Sequence, residues 1–159
     1  MLGYNNANLT KIYDNADFPL GAEVQYGDKK YQFVKYNAGD EPQVGVAGYV
    51  AIGLDSAYSP HEVTCDWNSS TINAVLERPK GILMAALTDG KYGWIQKTGL
   101  NDVAMLSPEE DIAQDEELMV HATTNGGVDK HTGDPIIIGV ALENDSGTAL
   151  AIGTVELKM

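Results

Sequence analysis

The chain has 159 residues, enough for one domain that buries a core without metals or disulfides. Hydrophobic residues make up 43% and charged residues 21%, too apolar a balance for a disordered chain. Ten Lys and Arg against 23 Asp and Glu leave a formal charge of −13, which argues against a nucleic-acid or anionic-membrane grip, since both need clustered cations.

The first residues, Met1 to Pro19, show neither a period of 2 nor one of 3.6, and no cationic start leads into an apolar run as a signal peptide requires. They read as an extended arm ahead of one β domain spanning 20–159. Its scattered apolar residues, Leu2, Tyr4, Leu9, Ile12, Tyr13 and Phe18, cannot bury themselves alone. The arm either packs along its own domain or docks on a neighbour, and these residues are its candidate interface positions.

From Gly21 the signals are β. Ala22 to Tyr26 and Lys30 to Tyr36 flank Gly27-Asp28, a two-residue hairpin turn with glycine first. In the second strand Tyr31 and Phe33 take one face, Val34 and Tyr36 the other. Gln43 to Leu54 reads as a strand interrupted by glycines, and Val44 to Leu54 is only about half a membrane span. Glu62 to Trp67 is a further strand, and Thr71 to Glu77 a single helical turn stopped by Pro79. Ile82 to Leu87 leads through Thr88-Asp89-Gly90 into Lys91 to Lys97, a bulged hairpin with Tyr92 and Trp94 on one face and Ile95 on the other. Val103 to Leu106 and Glu117 to Ala122 are short strands, and Thr123 to Asp134 is a polar loop. Pro135 to Leu142 and Thr148 to Leu157 form a last hairpin. About ten short strands with frequent turns predict an all-β fold, a compact sandwich or small barrel. No repeat of fixed period is visible; GVAGYVAIG and IIIGVAL share composition, not register.

Chemistry is sparsely signalled. His61, His121 and His131 come without HExxH or paired cysteines, so no zinc site is expected. The acidic run from Glu109 to Glu117 could offer oxygen ligands to calcium, but it lacks EF-hand spacing and reads as a solvated face. Cys65, the single cysteine, sits inside a strand as an inert buried thiol, and neither a nucleophile elbow nor a phosphate loop occurs. The expectation is a protein that is not an enzyme and binds no cofactor. Tyr92, Trp94 and Trp67 are either core or interface anchors.

These segments together carry a resemblance. LGAEVQYGDKKYQFV, with Leu20, Gly21, Val24, Tyr31, Phe33 and Val34, resembles the opening of tailed-phage capsid decoration, or cement, proteins. LTDGKYGWI, with Asp89, Gly90, Tyr92, Gly93, Trp94 and Ile95, is similar to that family's central hairpin. Asp111, Ile112, Ala113 and Leu118 match its next strand, and Ile138 to Leu142, Gly147 and Val155 to Leu157 its terminal hairpin. The arm has no counterpart in the pattern. The resemblance implies a virion protein on the outer surface of the head, partnered by the major capsid protein across capsomer joints and self-associating, as a trimer before a dimer. It implies no nucleic-acid or membrane partner and no catalytic residue. A head-fibre or tail-associated module binding a host surface ligand is the alternative.

Overall fold

The computed structural model describes residues 7–38, 45–53, 61–66, 79–106, 111–121, 125–132, 137–145 and 151–159. They contain ten strands and no helix. In chain order these are β1 (Glu23–Tyr26), β2 (Lys29–Tyr36), β3 (Val50–Gly53), β4 (Glu62–Thr64) and β5 (Pro79–Leu83), then β6 (Tyr92–Leu106), β7 (Glu117–Val120), β8 (Val128–Lys130), β9 (Gly139–Ala141) and β10 (Ala151–Lys158).

The pairings close into rings. β2 pairs β4 in parallel, β4 pairs β3, β3 pairs β5, β5 pairs β6, and β6 returns to β2, which makes a closed five-stranded barrel. The strands outside it form a second circuit on β6. That strand pairs β8 in parallel at Leu106↔Val128, β8 pairs β7, β7 pairs β9, β9 pairs β10, and β10 returns to β6. β1 adds to the outer side of β2. β6 serves both circuits because it is 15 residues long. Its first half meets β2 and β5, and its second half meets β10. The handover lies at Gly99, in the left-handed region at φ +84°, where a Cβ would press on the carbonyl of Asp28.

The two circuits are one pattern used twice. Moving four strands along the chain turns the first set of pairings, parallel closure included, into the second. The registers agree around the circuit except at the β6–β10 seam, where a bulge between Gly153 and Val155 shifts the second by one residue. Tyr36 opposes Val63 as Leu106 opposes Val128, and Ala51 opposes Gly81 as Leu118 opposes Gly139. Leu83 opposes Ile95 as Ala141 opposes Val155. Details outside the strands repeat too. The isolated bridge Gly45↔Leu87 has its twin in Ile112↔Asp145. The bonds Gly48 N–H to Leu83 O and Leu83 N–H to Tyr49 O recur as Asp115 N–H to Ala141 O and Ala141 N–H to Glu116 O. Gly48 stands at φ +93°, and its twin Asp115 is the one non-glycine residue at positive φ among the described residues, at +70°.

The repeat escapes a sequence search because its interval changes, being longest between Tyr36 and Leu106 and shortest between Gly81 and Gly139. Few identities survive. Gly81 and Gly139 are among them, for a steric reason: a Cβ at either would meet the carbonyl oxygen of the neighbouring strand, Gln96 or Glu156.

Each circuit holds its own core. Val34, Tyr36, Ala51, Val63, Leu83 and Ile95 fill the first. Ala104, Leu106, Leu118, Val120, Val128, Val155 and Leu157 fill the second. Val50, Ile52 and Ile82, on the outer side of the first barrel, join the second core, so the halves interlock. Gln96 ties the joint: its Nε2 donates to the carbonyl of Leu100 (2.9 Å), and its Oε1 accepts from Asn101 Nδ2 (3.0 Å).

Several expectations change. Val103 to Leu106 is not a separate strand, since β6 runs on from Tyr92 through the residues that separate it from Lys91–Lys97. The polar loop Thr123–Asp134 contains β8. Of the Gln43 to Leu54 expectation, the described residues are 45–53, and among these only Val50–Gly53 is strand, because Gly48 turns the chain. The Ile82–Lys97 hairpin splays beyond Met84 and Trp94, and its ends pair elsewhere, Leu87 with Gly45 and Tyr92 with Tyr13. The helical turn at Thr71–Glu77 lies outside the described residues.

Candidate functional site

No described cluster of His, Cys, Asp or Glu is arranged to hold a metal ion. Cys65 is buried, and burial pushes its thiol well above the ordinary range, with a lesser opposing hydrogen bond from Tyr36; both are core groups. An open hollow of about 650 Å³ is lined by Asp111, Ile112, Ala113, Glu116, Asn144 and Asp145. Two of its polar groups serve the turn itself, and a third, Asp145 Oδ2, is buried without a hydrogen-bond partner among the described residues. Glu116 accepts from the Ala113 N–H (2.8 Å) and Asn144 from the Gln114 N–H (2.7 Å). No described helix is long and apolar enough to cross a membrane.

The most elaborate surface arrangement is where the arm meets the first barrel. Alternation in β2 and β6 places Tyr31, Phe33, Tyr92 and Trp94 on the outer face of that barrel, opposite Val34 and Ile95. An outward aromatic sheet face would be a large apolar patch if left bare. Residues 7–22 cover it. The Tyr13 N–H donates to Tyr92 O, and the Tyr92 N–H donates to Tyr13 O, both at 3.0 Å. Further along, the Gly21 N–H donates to Phe33 O (2.8 Å) and the Phe33 N–H to Ala22 O (2.9 Å).

Phe33 is the hub. Tyr13 and Phe18 meet it edge-on with ring centroids at 5.4 and 5.2 Å, Trp94 tilts against it at 5.1 Å, and Tyr92 stacks at 6.1 Å. Phe18 also contacts Trp94 edge-on at 5.2 Å. Aromatic pairs at these separations contribute about 0.5–1.5 kcal/mol beyond their burial. Asp14 accepts from Lys91 Nζ at 2.7 Å, which holds the Asp14 carboxyl below the usual range, and Lys11 lies 4.5 Å from the Tyr13 ring centroid. The indole N–H of Trp94 is fully buried and has no hydrogen-bond partner among the described residues.

Of the interface positions expected from sequence, Leu2 and Tyr4 lie outside the described residues. Tyr13 and Trp94 are buried in this cluster, and Leu9, Phe18 and Tyr92 pack against it half-buried. Ile12 remains exposed. The arm therefore lies along its own domain over residues 7–22, the first of the two possibilities the sequence left open. Sequence reasoning paired Tyr92 with Trp94 but missed that Phe33 sits between them and the arm. The period-2 pattern gives faces, and only the β2–β6 pairing, Phe33↔Trp94, brings them together.

No family model matches the chain, and no curated protein matches it. Among solved structures the fold is similar to the N base of the head fibre gp8.5 of bacteriophage phi29. The TM-score is 0.51 at 11% identity, and the match covers 82% of this chain and 94% of that one. At that identity the likeness is one of fold, and it spans both circuits rather than a single barrel.

Proposed function

We propose that this chain is a structural protein of a bacteriophage head, a decoration protein that binds the outer surface of the mature shell across capsomer joints. It works by binding, without catalysis. The observation that carries this reading is the likeness of fold to a head-fibre base over 82% of the chain. Three features support it. Two interlocked barrels make a rigid module, the charge of −13 keeps a crowded outer surface soluble and away from packaged DNA, and the ordered segments from Leu20 onward resemble cement proteins. The partner is the major capsid protein. Binding only the expanded lattice stabilises it by mass action, and many copies per shell make detachment slow.

A second reading, the base of a head fibre, is favoured by the identity of the structural neighbour. Co-sedimentation with undecorated expanded capsids tests both. Saturable binding that raises the disruption temperature of the shell establishes decoration. Saturable binding that leaves it unchanged supports a fibre base. A folded protein that does not sediment with capsids overturns the head assignment.

A further inference from the structure

Every described strand but β1 has neighbours on both sides; β1 is paired on one side only, to β2. Alternation decides which of its backbone groups are left over. The Phe33 N–H and C=O bond to Ala22 and Gly21, and the Lys35 N–H bonds to His61, so the odd-numbered residues of β2 aim their backbone groups toward β1 and β4. Tyr31 and Lys29 therefore bond to the residues opposite them, Val24 and Tyr26. Glu23 and Gln25 turn their N–H and C=O groups outward, where no described residue meets them. An edge of this kind is a template for another strand. Its defences are slight. Residues 23–26 contain no proline, and the Glu23 carboxylate is paired with Lys97 Nζ at 3.1 Å.

The edge is complementary to itself. When two copies meet antiparallel with a two-fold axis at Val24, Glu23 of one lies opposite Gln25 of the other, and Gln25 opposite Glu23. This register engages all the outward backbone groups and makes four hydrogen bonds; a shift of two residues either way engages only one residue of each copy. It sets a carboxylate against a carboxamide at both places. On the other face Val24 meets Val24, and the exposed Tyr26 comes opposite Ala22. Charge does not oppose the approach. The chain carries −13, but Lys29, Lys30 and Lys97 stand here among Glu23, Asp28 and Asp102, so this end is locally balanced.

We propose that this chain self-associates as a two-fold dimer in which β1 of each copy pairs antiparallel with β1 of the other, Glu23 against Gln25. The two first barrels are then joined through one continuous sheet. Such a contact uses the same edge on both copies, so it closes at two. It engages four residues a side, and the dimer is correspondingly weak, forming where copies are concentrated. The inference concerns the chain in solution and does not rest on the head assignment.

Sedimentation velocity of the full chain from about 1 µM to about 1 mM tests this, with amide exchange read alongside. The expected result is a monomer–dimer equilibrium in which the Glu23 and Gln25 amides exchange fast in the dilute chain and become protected as the dimer fills. Position 25 then tests the register. Gln25→Glu sets carboxylates face to face and is expected to weaken the dimer about threefold to tenfold, while Gln25→Lys sets a cation against Glu23 and strengthens it by about as much. Both variants lose the bond from Gln25 Nε2 to Gly27 O (2.9 Å), so that loss cancels from the comparison. Gln114→Glu and Gln114→Lys make the same charge changes on an exposed residue of the second barrel and are expected to leave the affinity within about twofold of wild type. Gln25→Pro removes an outward donor without touching a β1–β2 hydrogen bond, and is expected to abolish association. A chain that stays monomeric at about 1 mM or that forms trimers overturns the proposal. So does a dimer that fails to respond in opposite directions to Glu and Lys at position 25, or that responds as strongly to the Gln114 changes.

Discussion

At the residue scale, the duplication supplies its own controls. Gly48 and Asp115 are the same position in two barrels, both left-handed, and each donates its N–H to the equivalent carbonyl. An L-residue with a Cβ loses roughly 1–2 kcal/mol in that conformation, less for aspartate. Gly48→Ala is therefore expected to destabilise by about 1–2 kcal/mol in urea unfolding. Asp115→Gly stays within about 0.5 kcal/mol of wild type, because relief of strain offsets the greater freedom of the unfolded chain. A second pair tests packing. Gly81→Ala and Gly139→Ala each push a methyl group against a neighbouring carbonyl, and each is expected to cost about 1–3 kcal/mol. If one of the two were silent, the registers deduced for that barrel would be in error. None of this could be read from the residues alone. Gly48 and Asp115 share no side-chain chemistry, and what they share, a φ angle, goes with a hydrogen bond to a strand 35 or 26 positions away, at Leu83 or Ala141.

At the scale of elements, the arm is the part whose role changes most between sequence and structure. Its apolar residues were visible, but their destination depends on the outward face of β2 and β6, which exists only once the barrel has closed. Removing residues 1–18 would uncover Phe33 and Trp94, both fully buried. The truncated chain is thus expected to lose stability and bind a hydrophobic dye. Phe18→Ala, which leaves the backbone pairs of Tyr13 intact, should cost about 2–3 kcal/mol in thermal or urea unfolding. Acid should loosen the arm as well. Lys91 lowers the Asp14 pKa, chiefly through the hydrogen bond and then through charge. A lowered carboxyl contributes above its unfolded value, about 3.9, and that contribution fades as pH falls through the folded value. Hydrogen exchange at the Tyr13 and Tyr92 amides, corrected for intrinsic rates, is expected to quicken as pH drops below about 4. Asp14→Asn should remove that acid-dependent step. By contrast the β1–β2 hairpin was legible from sequence nearly to the residue, because its turn and both strands are local.

At the scale of the molecule, the question is whether two barrels unfold as one. Their strands repeat, but they are not beads on a string. β6 is a wall of both, Val50, Ile52 and Ile82 of the first sit in the core of the second, and Gln96 and Asn101 are bonded across the turn-over point. Those links were hidden from sequence analysis for one physical reason. The closures β2–β4 and β6–β8 are parallel and non-local, and a stretch containing Thr98, Gly99 and Asn101 reads as the end of a strand when it is the middle of one. Cutting the chain after Leu106 would leave the aliphatic side of β3 and β5 in water, and starting it at Tyr92 would give the second core an open wall. Neither fragment is expected to fold alone, although each contains every strand of one circuit. In the intact chain, far-ultraviolet circular dichroism and exchange at amides of β2 and β10 should report a single transition with one midpoint in urea. Two midpoints would mean that the shared strand does not couple the barrels, and the strand would then be better regarded as a linker. Gly99→Ala probes the coupling directly, since it strains the handover at φ +84° while touching neither core. It is expected to lower the common midpoint without splitting it.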